Sequence, residues 1–248
     1  MQSRKIVRST YFVLFLFFAM QACKKDDTTT PVYQHLKLQI HHKVGTENLE
    51  MNKVYTTASG TFSINRLEYY ISSFKAENDN GDMIPFSGKY LLVSPSTEEY
   101  DLGEADTGSY QGFTFDIGVD SANNHKDPAT FPSDHPLYIQ SPSMNWTWNP
   151  GYKFMVIEGQ VDTDNDSVPD AALVYHIGLD KYLTNVDLTG SKSYSISGDA
   201  NTDIVLDLDV AALFAGINLA NNTDTHTSDK EALAQSFVAN IPGAFSVE

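Results

Sequence analysis

From residue 36 the chain alternates apolar and polar positions: Leu36, Leu38, Ile40 and His42 fall on one side, and Lys37, Gln39, His41 and Lys43 on the other. A period of two belongs to a half-buried β-strand, so this run predicts a strand with His42 turned into the core. Further strand-like runs follow at residues 61–64, 69–77, 90–94, 112–117, 152–161, 172–177, 193–197 and 203–209, separated by clusters of Gly, Asn, Asp and Pro. Many short strands with few helical stretches predict a mostly β domain, an antiparallel β-sandwich or a barrel-like fold. Helical signals come late. Residues 210–214 suit a single turn, and Ser228-Asp-Lys-Glu231 has the form of a capping box opening a helix with Leu233, Phe237 and Ile241 at four-residue spacing. The domain is therefore expected to end in one or two short C-terminal helices.

The first 22 residues follow a different pattern. Arg4, Lys5 and Arg8 precede an apolar run at residues 11–20, and Gln21-Ala22-Cys23 closes it, in the order of a secretory signal peptide. Ten apolar residues are too few to cross a bilayer, which takes about 20 at the helical rise. A small residue before the chain's single cysteine resembles the lipobox of bacterial lipoproteins, so residues 1–22 are expected to be removed and Cys23 acylated. Residues 23–32 are polar and aperiodic, a flexible acidic tether. Within them Lys25-Asp26-Asp27 resembles the short signal that sends some Gram-negative lipoproteins to the outer face of the outer membrane. Residues 33–248 then form one domain, held to the outer membrane by the lipid on Cys23 and facing the periplasm or the medium.

Composition narrows the class. One cysteine permits no disulfide within the chain, so the fold rests on its core. With 16 Lys and Arg against 32 Asp and Glu, the net charge is −16. That charge excludes nucleic acid as a partner and favours cations.

One segment concentrates the charge. Asp162, Asp164, Asp166 and Asp170 stand at the first, third, fifth and ninth positions of a loop between two strand-like runs, with Val168 at the seventh. Alternating carboxylates plus the Val168 carbonyl can wrap a hard cation that takes six to eight oxygens at about 2.3 to 2.6 Å, and calcium fits this best. The segment resembles a single thrombospondin type 3 calcium repeat, except that Ser167 occupies the place where that repeat carries Gly, and must make the turn with a Cβ present.

The remaining chemistry lies in seven histidines, at 35, 41, 42, 125, 135, 176 and 226, and two tryptophans, Trp146 and Trp148. His176 alternates against Leu173, Tyr175 and Ile177 and so leaves its strand on the opposite face from them. Trp146 and Trp148 would share a face if their segment is extended. Read in order, His42-Lys-Val-Gly, Leu67-Glu-Tyr-Tyr-Ile-Ser-Ser-Phe, Phe115-Asp-Ile-Gly-Val-Asp-Ser, Met144-Asn-Trp-Thr-Trp-Asn-Pro-Gly-Tyr-Lys-Phe, Glu158-Gly and Tyr175-His-Ile-Gly resemble the methanobactin-associated copper-binding protein family, the MbnP-like domain. The resemblance spans residue 36 onward, and its most specific part is Met144-x-Trp-x-Trp-x-x-Gly-Tyr. It implies a β protein outside the cytoplasm that binds copper, for uptake or storage, with a tryptophan oxidised to kynurenine as one ligand and a di-haem peroxidase-like enzyme as the oxidising partner. Carried over residue by residue, it points to Trp146 or Trp148 as the modified indole and to His176 and His42 as imidazole ligands. His135 and His226 are weaker candidates because each lies in a polar loop that no motif fixes.

Other functional classes have less in the sequence. No Ser-His-Asp elbow, phosphate-cradling Gly loop or Cys-x-x-Cys-His haem site is present, so no enzyme is expected. The rival is a calcium-stabilised surface module for glycans or proteins, in which Trp146 and Trp148 would stack on sugar rings. Exposure of the indoles separates the two: a flat solvent-facing pair suits a sugar, and a buried indole beside His176 suits a metal.

Overall fold

The computed structural model describes residues 33–86, 88–147, 151–197 and 202–248. In chain order its strands are β1 (Tyr33–Val44), β2 (Glu47–Asn48), β3 (Val54–Thr57), β4 (Gly60–Asn78), β5 (Met83–Pro85), β6 (Tyr90–Val93), β7 (Glu99–Asp106), β8 (Gly108–Ile117), β9 (Lys153–Val161), β10 (Ala171–Gly178), β11 (Thr184–Asp187), β12 (Tyr194–Ile196), β13 (Thr202–Asp209), β14 (Asp224–Thr225) and β15 (Phe245–Val247). Helices are α1 (Ser121–Asn124), α2 (Val210–Leu213) and α3 (Glu231–Ala244). A smaller sheet runs β15-β13-β1-β2 with β7 also on β1, and a larger one runs β11-β8-β4-β9-β10-β14 with β12 on β8 and β3, β5 and β6 on β4. No helix among the described residues is long and apolar enough to cross a membrane.

Alternation decides what each sheet buries. Leu36, Leu38 and Ile40 of β1 and Ile204, Leu206 and Leu208 of β13 meet Phe62, Ile64 and Tyr69 of β4, Met155 and Ile157 of β9 and Tyr175 and Ile177 of β10 in one apolar core between the sheets. Removing this much apolar surface from water is the dominant favourable term in folding. The fold is the mostly β, two-sheet arrangement that the periodicity predicts. Two pairings depart from an all-antiparallel reading: β1 with β13, and β10 with β14, are parallel.

A second, smaller core lies on the opposite face of the larger sheet. Tyr70 of β4 and Phe154 and Val156 of β9 pack there against Val119, Leu137, Met144 and Tyr152, which belong to the chain between β8 and β9. That long connection is thus a cap, seated on the outer face of the sheet, closed internally by the Tyr152 hydroxyl, which donates to the Leu137 carbonyl at 2.5 Å, and tied to the sheet by the Tyr70 hydroxyl of β4, which donates to the Pro136 carbonyl at 3.2 Å.

Local signals met tertiary competition in three places. The runs at 61–64 and 69–77 are one strand, β4, which continues across a register shift between Ile64 and Arg66. The charged run of β7 forms a strand beyond those the pattern predicts, with Tyr100, Leu102 and Ala105 buried. The capping box does not form: α3 begins at Glu231 with Lys230 in the cap position and no side-chain cap bond. Asp229 is diverted instead to the backbone N–H of His226, whose ring it also meets. Within α3, Phe237 and Ile241 are buried as the spacing predicts, together with Ala234, while Leu233 is only partly buried.

Candidate metal centre

On β10 the inward positions Leu173, Tyr175 and Ile177 belong to the main core, so His176 projects from the outer face, where its side chain is 12% exposed. The parallel pairing with β14 sets Tyr175 beside Thr225, and one residue further along His226 comes alongside His176. Their ring centroids are 5.0 Å apart and nearly perpendicular. From the cap, Trp146 reaches the same place, its ring 6.2 Å from that of His176 and edge-on to it. The indole is 7% exposed. Backbone bonds from Trp146 N–H to the Gly151 carbonyl (3.0 Å) and from Lys153 N–H to the Met144 carbonyl (2.7 Å) close the turn that presents it.

Gly178 explains why the indole can lie there. A Cβ at Gly178 would stand 2.8 Å from the indole Nε1 and 2.7 Å from the Tyr152 carbonyl oxygen, closer than packed atoms approach. The strand is bare where the ring rests on it, and the same Gly closes the Tyr175-His-Ile-Gly motif.

Each of the two histidines is paired with a carboxylate. His176 Nε2 lies 2.8 Å from Glu158 Oε1, and Arg66 Nη1 binds the same Glu158 oxygen at 3.0 Å while its other nitrogens reach Glu68. Burial works against the Glu158 charge, but the His176 hydrogen bond and the Arg66 guanidinium outweigh it and hold its carboxyl below the ordinary range. Burial lowers the His176 pKa, with Glu158 opposing only in part, so the ring is neutral and able to ligate near pH 7. His226 Nδ1 lies 3.2 Å from Asp229 Oδ2. The Lys153 ammonium sits over the Trp146 ring, 5.7 Å from its centroid, and burial together with Arg66 lowers its pKa.

Thr227 ties the two histidine segments together. Its hydroxyl donates to the His176 carbonyl at 2.7 Å and accepts from the Gly178 N–H at 3.1 Å. Its φ is 68°, in the left-handed region that a β-branched residue enters only at a cost of order 1–3 kcal/mol. Strain of this kind persists where the surroundings over-determine it, and here it lies next to His226.

The other sequence-predicted residues lie elsewhere. His42 is correctly read as core-facing, 8% exposed, with Nε2 3.1 Å from the Tyr69 hydroxyl. It does not join His176: Tyr69 belongs to the main core, on the inner face of the larger sheet, and His176 is on the outer one. The reading of His42 as a co-ligand of His176 is therefore corrected, because the sheet stands between them. His135 stacks on Phe131 with ring centroids 4.8 Å apart, and its Nδ1 accepts from the Leu137 N–H, a structural role in the cap. Trp148 and Cys23 lie outside the described residues. His226, ranked below His42 by sequence, is the residue beside His176. Its only sequence signal is the short Thr225-His-Thr alternation, and a two-residue parallel pairing cannot be read from that.

In the acidic loop, Asp162, Asp164 and Asp166 bring one carboxylate oxygen each to within 4.8 Å of one another. Asp162 accepts backbone N–H groups of Asn165 and Ser167, both at 2.7 Å, and these outweigh burial to lower its pKa. Asp164 goes the other way: the Asp166 N–H favours its charge, but the carboxylates of Asp166, Asp170 and Asp162 outweigh that and raise its pKa. Ser167 has φ 71°, so it does make the turn despite its Cβ. Asp170 faces Thr163 with both oxygens, and Val168 is 61% exposed with its N–H on Asp166.

Comparison with known proteins agrees with this architecture. The MbnP family model matches residues 33–229. Among solved structures, MbnP from Methylosinus trichosporium superposes with a TM-score of 0.58 over 87% of this chain and 98% of that one, at 14% identity. Curated protein sequences yield no match.

Proposed function

The chain belongs to the MbnP family, and from that premise we propose that it binds copper outside the cytoplasm, for uptake or storage, through His176 and His226 with Trp146 beside them. One observation carries the reading: the two imidazoles and the indole, from three separate segments, converge on the outer face of the larger sheet. Imidazole nitrogen suits copper, though it also suits zinc, and family membership favours the former. An intact indole N–H only donates, so Trp146 would become a nitrogen ligand once its pyrrole ring is opened to the arylamine of kynurenine. The chain has no haem-attachment motif, so that oxidation would fall to a di-haem peroxidase-like partner. The bare backbone at Gly178 fits this use, since it leaves room for the ring against the strand. Burial of Trp146 argues against the glycan-stacking alternative. Anchorage through an acylated Cys23, on the periplasmic or outer face of the outer membrane, completes the proposal and rests on the lipobox and signal-peptide pattern.

The acidic loop is assigned to a structural calcium ion held by Asp162, Asp164 and Asp166, supported by their convergence and by the mutual repulsion that raises Asp164; Asp170, expected to join them with the Val168 carbonyl, is instead engaged with Thr163.

Metal analysis of the protein from its native host, with mass spectra of the peptide covering residues 144–153, tests the copper reading. Bound copper and a ring-opened Trp146 are the expected result, and an intact tryptophan would restrict the site to its histidines. Copper affinity in His176→Ala should fall about a hundredfold, the loss of roughly 3 kcal/mol of binding. Equal affinity in that variant would overturn the assignment.

A further inference from the structure

The two imidazoles beside Trp146 are each held through one ring nitrogen, and not through the same one. His176 meets Glu158 through Nε2 at 2.8 Å, and Arg66 on the same carboxylate fixes Glu158 in place. His226 meets Asp229 Oδ2 through Nδ1 at 3.2 Å, and the other Asp229 oxygen takes the His226 backbone N–H at 2.8 Å, so ring and backbone are clamped by one carboxylate. Asp224, also close to His226, is taken by Lys230 at 2.6 Å and by the Thr223 hydroxyl. An ionised carboxylate only accepts hydrogen bonds. A neutral imidazole facing one must put its proton on that nitrogen and its lone pair on the other.

We propose that His176 presents Nδ1 and His226 presents Nε2 to the metal, a mixed pair fixed by Glu158 and Asp229 acting as positioning residues. The inference rests on the copper reading for the identity of the ion, and on hydrogen-bond geometry for the choice of nitrogens. Thr227 supports it by bonding to the backbone on both sides of Ile177, which holds the loop carrying His226 at a fixed height along β10. Two rings that use different nitrogens reach a common ion from unequal distances along their side chains. That suits a pair in which one histidine stands on a sheet strand and the other on a loop beside it.

The test is made first on the full-length, metal-free protein, so it does not depend on loading. Long-range proton–nitrogen correlation spectra of uniformly labelled protein at pH about 8 distinguish the two neutral tautomers of each ring. The expected result is a proton on Nε2 of His176 and on Nδ1 of His226. The reverse tautomer at either ring overturns the proposal. Glu158→Gln and Asp229→Asn should each weaken copper binding about 10- to 100-fold, as loss of a ligand's outer partner does, and should blur the tautomer preference of their own histidine only. Glu68→Gln, which touches Arg66 and not His176, should leave the His176 tautomer unchanged. Expected tautomers in a protein that binds no copper would support the nitrogen assignment and overturn the copper reading. Copper binding with reversed tautomers would do the opposite.

Discussion

His42 and His176 both sit on strands, both are largely buried, and burial lowers the pKa of both, yet their surroundings differ in kind. His42 continues the inward alternation of β1 between Ile40 and Val44, and its ring meets the Tyr69 ring edge-on and the Tyr69 hydroxyl, with no carboxylate among the described residues bound to it. Burial, with a smaller push from His41, lowers it to about 4. His176 lies on the outer face of the other sheet beside a second imidazole, an indole, and a carboxylate that Arg66 holds ionised. Burial alone makes a neutral packing residue. Burial with a carboxylate behind the ring and a second imidazole in front makes a ligand, because one nitrogen is anchored and the other is left to face the cluster.

Four measurements would sharpen or break this contrast. The largest effect belongs to Gly178. Gly178→Ala places a methyl group 2.7 Å from a backbone oxygen and 2.8 Å from the indole, so about 2–3 kcal/mol of stability should be lost and Trp146 fluorescence should shift toward that of an exposed ring. An unchanged spectrum would mean that the indole does not rest on β10.

His42 should dominate the acid limb. Its folded pKa, about 4, is below its unfolded value of 6.5, so the unfolded chain binds more protons between those limits. Its contribution is therefore complete above pH 6.5 and is lost as pH falls toward 4. Denaturant unfolding should show about 2 kcal/mol lost between pH 6.5 and 5, before most carboxylates titrate. His42→Gln should remove that part of the slope, and an identical slope in the variant would show that His42 is not the acid-sensitive group.

Thr227→Val preserves shape and branching but leaves the Gly178 N–H and the His176 carbonyl without their shared hydroxyl. A loss of about 1–2 kcal/mol should follow, together with weaker copper binding. Stability lost without any change in copper binding would reduce Thr227 to a packing role. The smallest effect is at Asp164. Without calcium, Asp164→Ala should leave stability close to unchanged, since the residue is exposed and repelled by its neighbours. With calcium, the variant should lose the rise in melting temperature that the parent protein gains.

Much of this was legible in the sequence where a residue's role followed from period or local spacing. The alternation from Leu36 gave β1 and the inward turn of His42. The Tyr175-His-Ile-Gly run gave the outward face of His176, and the Asp spacing gave the acidic loop between β9 and β10. What escaped depended on partners distant in the chain. Arg66 broke the apolar run of β4 into two apparent strands, because a charge inside a strand is tolerated only with Glu68 and Glu158 beside it, and Glu158 is supplied by β9. His226 is hard to read for the same reason: its place beside His176 is set by a parallel register that leaves no local mark. Asp229 looked like part of a helix cap and instead clamps His226.

The second core has a consequence for how this site lives in time. Trp146 is carried by a cap whose apolar anchorage, through Leu137, Met144 and Tyr152, is separate from the core between the sheets, whereas His176 belongs to the sheet itself. The cluster thus straddles a seam between two units that can open at different free energies. An ion gripped from both sides would act as a rivet across that seam, so hydrogen exchange of the cap's amides would report occupancy while the amides of β9 and β10 stayed protected throughout.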